Sequence, residues 1–246
     1  MSDNSSIPWC DASLNFATGC NRVSAGCAHC YSLDRLIPRL KHMGQAKYAN
    51  GEKFTVHESA MYAPRKWKKP KRIFVNSVSD TFHEQMPYTM LDKFFDEVVS
   101  KTPQHTYLLL TKRANNMNVY FEGHPAPQNV WAGVTAENQE MVDHNLPCLH
   151  DVKAMVRFVS VEPMLGPVDL SAYAEWLDWI IIGGESGPKQ RIIPVQYIRD
   201  LVHQGKQMSI PVFLKQMHDG ERLVKEPYIW IPGTTGPRQH LEFPKG

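Results

Sequence analysis

Seven short apolar runs, each turning polar at its C-terminal end, constrain this chain more than any other feature. They read "LNFA" (14–17), "IFVNS" (73–77), "YLLLT" (107–111), "VWAGV" (130–134), "VRFVSV" (156–161), "WIIIGG" (179–184) and "PVFLK" (211–215). Most are continuous rather than alternating, the mark of parallel strands covered on both faces. Helix-like segments lie between them at 31–41, 88–101, 114–121, 137–146 and 195–208. In the second of these, Leu91, Phe94, Phe95, Val98 and Val99 recur at three- and four-residue intervals, which gives one apolar face. Units repeating at roughly 25 residues, after one long insertion at 44–72, predict an α/β fold: a complete or partial (β/α) barrel of six to seven parallel strands. A doubly wound open sheet is the alternative. A chain of 246 residues with 42% hydrophobic content can bury one large core, so a single domain over 1–246 is expected, closed by a trailing segment at 218–246. Neither a secretory leader nor a run of ~18 apolar residues is present, so the sequence predicts a cytoplasmic protein with no membrane partner.

Barrels build their sites from loops at the C-terminal ends of the strands. Here those ends carry the cysteine-rich loop 19–32, then Ser79 and Asp80, Lys112 and Arg113, Thr135, Glu137 and Asn138, Glu162, Glu185 and Ser186, and Lys215 and Gln216. The plainer reading of any one of them is a cap on the next helix. Taken together they predict one polar rim.

The loop "GCNRVSAGCAHCYS" holds Cys20, Cys27 and Cys30. In a reducing compartment such clustered cysteines are metal ligands or free thiols rather than disulfides. A structural zinc site is closed by four ligands, usually two pairs, and only Cys27 and Cys30 form a tight pair. Three thiolates on an iron–sulfur cluster leave one iron open, which suits a triplet better. Gly19 and Gly26 give such a loop backbone freedom.

A strand, a three-cysteine loop and a helix at the head of a βα barrel look like the start of a radical S-adenosylmethionine (SAM) enzyme. More narrowly, "DASLNFATGCNRVSAGCAHCYS", "IFVNSVSDTFHE", "VWAGVTAENQE", "RFVSVEPMLGP" and "WIIIGGESGP" together resemble a family of bacteriophage and prophage proteins of largely unassigned function. The spacing Cx6CxxC departs from the superfamily's usual CxxxCxxC, and His29 stands where an aromatic residue often precedes the last cysteine. The resemblance implies a [4Fe–4S] cluster on Cys20, Cys27 and Cys30, SAM on its open iron, and a one-electron reductant of flavodoxin or ferredoxin type. It implies that Asn76, Ser77, Ser79 and Asp80 lie near the SAM amino group, with Asp80 on the ammonium. Thr135 and Glu137 fall to ribose or carboxylate, Ser160 and Glu162 to cofactor or substrate, and Gly183, Gly184 and Glu185 beside the adenine. Lys112, Arg113, Glu162, Arg191, Lys215 and Gln216 remain as substrate-side candidates.

An isomerase, a lyase or another C–H activating reaction on a nucleobase or nucleotide of phage DNA, in the host cytoplasm, is the implied activity. A non-catalytic nucleic-acid-binding protein with a zinc-stabilised loop is the alternative. The run "RKWKKPKR" (65–72) could track a phosphate backbone or be a solvated loop. Cys10 and Cys148 read as small buried hydrophobes, Met86, Met90, Met141, Met155 and Met164 as core filler, and the eleven dispersed histidines predict no second metal site.

Overall fold

The computed structural model describes residues 4–187, 189–220, 222–231 and 235–244. Strands β1 (Ala12–Leu14), β2 (Ala17–Thr18), β3 (Thr55–Val56), β4 (Arg72–Val75), β5 (Thr106–Thr111), β6 (Val130–Thr135), β7 (Val156–Val161), β8 (Trp179–Gly183), β9 (Val212–Asp219) and β10 (Arg222–Lys225) make two sheets. In the larger, β1, β4, β5, β6, β7, β8 and β9 pair in parallel in that order, and β10 turns back antiparallel on β9. The seven parallel strands match the expected α/β barrel. The first spans Ala12–Leu14 rather than 14–17 and ends three residues early, because Phe16 and Ala17 give their N–H groups to Asn76 Oδ1 instead of a neighbouring strand of the larger sheet.

Helices α1 (Ile37–His42), α2 (Glu58–Met61), α3 (Tyr88–Lys93), α4 (Ala114–Gly123), α5 (Gln139–Asp151) and α6 (Val195–Gln207) are joined by wider turns. The stretches Ser32–Leu36 and Phe94–Val99 are π-helical and lead into α1 and out of α3. The apolar stripe 91–99 is buried as its period requires. Between β7 and β8 a 3-10 turn, Ser171–Trp176, replaces a helix. Asn138 caps α5 through Met141 N, so at this position the plainer reading holds.

Alternation along the strands separates two layers. Ile73, Val75, Leu109, Ala132, Val134, Val159, Val161, Ile180, Ile182, Val212 and Leu214 face the helices in the main core. Phe74, Leu108, Trp131, Phe158, Trp179, Ile181 and Phe213 face the other way and pack on Trp9 and Cys10. The sheet is rolled around that inner cluster. The Trp9 ring lies 4.6 Å from Phe74 on β4 and 6.4 Å from Trp179 on β8, whereas four strand spacings of a flat sheet measure about 19 Å. Among the described residues no ladder joins β1 to β9 or β10, so the barrel is partial.

The trailing segment has more structure than its composition suggests. Leu241 bridges Phe213, and Phe243 sits 5.3 Å from Phe213 and under the Arg72 guanidinium at 3.9 Å. It therefore covers the N-terminal floor of the barrel; positions 221, 232–234, 245 and 246 lie outside the described residues. The insertion returns through β3 to pair with β2, beside the cysteine loop. Cys10 is buried as expected, Cys148 only partly, and Met155 is 58% exposed and no core filler. Among the described residues no helix is long and apolar enough to cross a membrane.

Gly133 on β6 lets the floor pack. A Cβ there would stand 2.3 Å from Phe158 Cζ on the next strand. Gly133→Ala is expected to lower stability by about 1–3 kcal/mol through overpacking. The urea midpoint should fall at unchanged slope, and adding Phe158→Leu should recover part of the loss; an unshifted midpoint would refute the tight contact.

Candidate active site at the barrel mouth

Above the apolar floor the inward positions become polar. By the same alternation Thr135, Ser160, Glu162 and Lys215 follow Trp131, Phe158 and Phe213 towards the C-terminal ends, with Thr135 and Ser160 register partners. Glu162 and Lys215 form an ion pair across β7 and β9. Among the described residues the buried Ser160 hydroxyl has no hydrogen-bond partner, and both ring nitrogens of the buried His218 are likewise unmatched. Gly183 and Gly184, expected beside a flat ring, instead make room for side chains: a Cβ would meet Glu162 Cγ at 2.5 Å or His218 Nδ1 at 3.1 Å.

The cysteine loop lies across this mouth because its backbone and side chains find their partners there. Gly19 has a left-handed φ of +76°, and a Cβ on it would lie 2.3 Å from Lys53 O of the insertion. Ser79 Oγ donates to Gly19 O at 2.5 Å, and Ser32 Oγ to Val78 O at 3.0 Å. Cys20 and Cys30 pack against Leu33, Ile37, Tyr48 and Val78. Cys27 is buried at the end of the turn Ala25–Cys27, 3.7 Å from Ser24 Oγ.

Three strand ends then grip the loop by charge. After β5, Arg113 contacts Cys20 Sγ at 3.7 Å and Asn21 Oδ1 at 2.7 Å. After β6, Glu137, fully buried, accepts Gly26 N at 2.8 Å and pairs with Lys112 Nζ at 3.4 Å. Burial alone would lift its carboxyl, but Lys112, Ser24 and Gly26 outweigh that and hold it below the usual carboxylate range. Gly26 has no left-handed φ; it is small because Glu137 Oε1 would stand 2.7 Å from its Cβ. After β8, Glu185 binds Arg191 at 2.5 Å and His29 at 3.3 Å, while Arg191 Nη2 donates to Ala25 O at 3.0 Å. Against the effect of burial, those bonds lower the Glu185 carboxyl to about 2.

Several sequence-predicted residues therefore have partners within the protein. Asp80 accepts Phe82 N at 2.9 Å, Thr111 Oγ1 at 2.7 Å, Lys112 N at 3.3 Å and Arg113 Nη1 at 3.0 Å. A carboxylate has about four lone-pair sites, so Asp80 keeps none for an ammonium ligand. Asn76, with φ +54°, spends its amide on Phe16 N, Ala17 N and Thr81, and Ser77 donates to Asn15. Gln216 ties down Gly184 O. Sequence reasoning missed Asn21, Glu84 and the His29–Glu185 contact, whose partners are far away in the chain. Asn15, a polar residue inside the first apolar run, was a visible signal. The basic run lies at the opposite end, before β4: Arg65 binds Glu97 O, Lys71 stands over Trp67, and Arg72 pairs with Asp11.

Three soft thiols in one loop fit an iron–sulfur cluster by donor type. Among the described residues no three Cys, His, Asp or Glu side chains converge as the cage of a single metal ion requires. Burial pushes the Cys20 thiol up to about 11 despite the neighbouring Arg113, so in the metal-free chain it stays protonated at neutral pH.

Comparison with solved structures finds spore photoproduct lyase complexed with dinucleoside spore photoproduct, 13% identical, covering 96% of this chain and 70% of that one at a TM-score of 0.45. A cysteine-to-serine mutant of spore photoproduct lyase is 14% identical, covering 98% and 71% at the same TM-score of 0.45. No curated protein sequence matches. The model of the family described as "Protein of unknown function (DUF5131)" matches residues 4–226, and the chain belongs to that family.

Proposed function

We propose that this chain is a radical SAM enzyme that holds a [4Fe–4S] cluster on Cys20, Cys27 and Cys30 and modifies a nucleobase or nucleotide. The observation that carries the reading is the placement of a three-thiol loop over the polar end of a partial (β/α) barrel, gripped by charged residues from three strand ends. When bound to Cys20, Cys27 and Cys30, the cluster would supply one-electron reductive cleavage of SAM and, through it, hydrogen abstraction from carbon. A flavodoxin- or ferredoxin-like donor supplies that electron.

The chain's own contribution is to place and to exclude. The floor of Trp131, Phe158, Trp179 and Phe213 seals one end of the barrel against water. Thr135, Ser160, Glu162 and Lys215 offer inward polar groups above the apolar floor for cofactor or substrate, and the Ser160 hydroxyl, unmatched among the described residues, is the one most in need of a ligand. Asp80, committed to Arg113, acts as an anchor rather than as an ammonium ligand. Phage DNA is the substrate class to test first.

Anaerobic reconstitution should give a brown protein absorbing near ~400 nm. With SAM and a strong reductant it should release 5′-deoxyadenosine, assayed beside phage DNA, free nucleosides and no substrate. Cys27→Ala should abolish colour and cleavage together. A chain that fills with zinc, or forms the cluster without cleaving SAM, sinks the proposal.

Glu137→Ala removes the acceptor of the buried Gly26 N–H, a loss of about 1–3 kcal/mol. Amide exchange at residue 26 should rise roughly tenfold or more, with weaker iron retention. The carboxyl is lower in the folded chain than its unfolded value of about 4.3. The clamp is therefore fully present above that pH and is lost as pH falls through the lowered value. Protection of residue 26 should follow that course, and a pH-independent exchange rate after correction for intrinsic chemistry would exclude Glu137 as the clamp.

A further inference from the structure

Arg113 is an expensive residue to bury. It is 6% exposed, yet each of its five N–H donors is matched. Nε donates to Glu84 Oε1 at 2.7 Å, Nη2 to Asn21 Oδ1 at 2.7 Å and Asn21 O at 3.5 Å, and Nη1 to Asp80 Oδ2 at 3.0 Å and Cys20 Sγ at 3.7 Å. With four donors fixed on the segment after β4 and the cysteine loop, the fifth cannot turn away from the sulfur. A planar fork of this kind is what a lysine cannot reproduce.

The three thiols are unequal in this respect. Among the described residues Cys27 has only the neutral Ser24 hydroxyl at 3.7 Å, and the other cations of the strand ends are engaged elsewhere, Lys112 with Glu137, Lys215 with Glu162 and Arg191 with Glu185. Hydrogen bonds and positive charge at a cluster sulfur favour the more negative, reduced state and raise the reduction potential.

We propose that Arg113 is a positioning residue for Cys20 that fixes the first cysteine to the barrel and raises the reduction potential of the cluster bound there. The inference rests on the reading of Cys20 as a cluster ligand and moves Arg113 from the substrate side to the cofactor side.

The test is a redox titration of the reconstituted full-length protein, followed by the electron paramagnetic resonance of the reduced cluster, in wild type, Arg113→Lys and Arg113→Gln. The glutamine variant loses charge and fork, and its midpoint should fall by about 59 mV, a tenfold change for one electron. The lysine variant keeps the charge opposite Asp80 and so should fold. Its midpoint should fall about threefold, roughly 28 mV. Amide exchange at residues 20–22 of the metal-free chain should rise about tenfold in both.

Unchanged midpoints in folded variants overturn the tuning role, and unchanged exchange overturns the positioning role. Should the glutamine variant not fold, the lysine variant decides both. A wild-type chain that takes up no iron overturns the functional reading and the tuning role with it, whereas exchange in the metal-free chain still decides whether Arg113 positions the loop.

Discussion

A cysteine loop stays over this barrel because buried charged groups on three strand ends, Arg113, Glu137 and Glu185, each take a partner from it. Glu137 is buried with Gly26 N and Lys112 as partners, Asp80 with Arg113, and Glu185 with Arg191 and His29. Lifting the loop would leave Glu137 without Gly26 N, and Arg113 without Cys20 and Asn21. Losing one partner of a buried charge costs several times what the intact pair contributes, since desolvation is no longer offset. Such pairs are thus poor sources of net stability and good sources of geometry. The apolar packing of the two core layers stabilises the fold, and the charges fix where the loop sits on it.

The seven parallel strands were legible because each is buried on both faces and its side chains need no alternation. What misled was the exit from the first of them. Ala12–Leu14 leaves the sheet where Asn76, some sixty residues on, takes the amide hydrogens of Phe16 and Ala17, and the polar Asn15 is the one local sign of that exit in 14–17. The trailing segment was opaque for a similar reason. Leu241 and Phe243 are ordinary residues among turn formers until the rolled sheet offers Phe213 and Trp179 to them.

At the mouth, residue type and strand end told where polar groups gather but not which way each would be spent. Asp80, Glu137 and Glu185 were read as ligand contacts, yet their closest partners are Thr111, Gly26 and Arg191. A carboxylate at the end of a barrel strand reads the same in sequence whether it meets a cofactor or a peptide N–H from a loop more than a hundred residues away. Ser160 is the opposite case: named in sequence for cofactor or substrate, it is buried by the fold with no partner for its hydroxyl among the described residues.

Charge balance explains why the loop is built from thiols rather than carboxylates. Each buried carboxylate at the mouth already has its cation, and Asp80 and Glu84 together outweigh Arg113. A further fixed anion beside Cys20 would be uncompensated in a desolvated site. A thiol avoids that cost, because burial lifts Cys20 to about 11 and keeps it neutral at neutral pH. On the reading proposed above, a metal taken up by Cys20 would supply the missing positive charge and release its proton in one event.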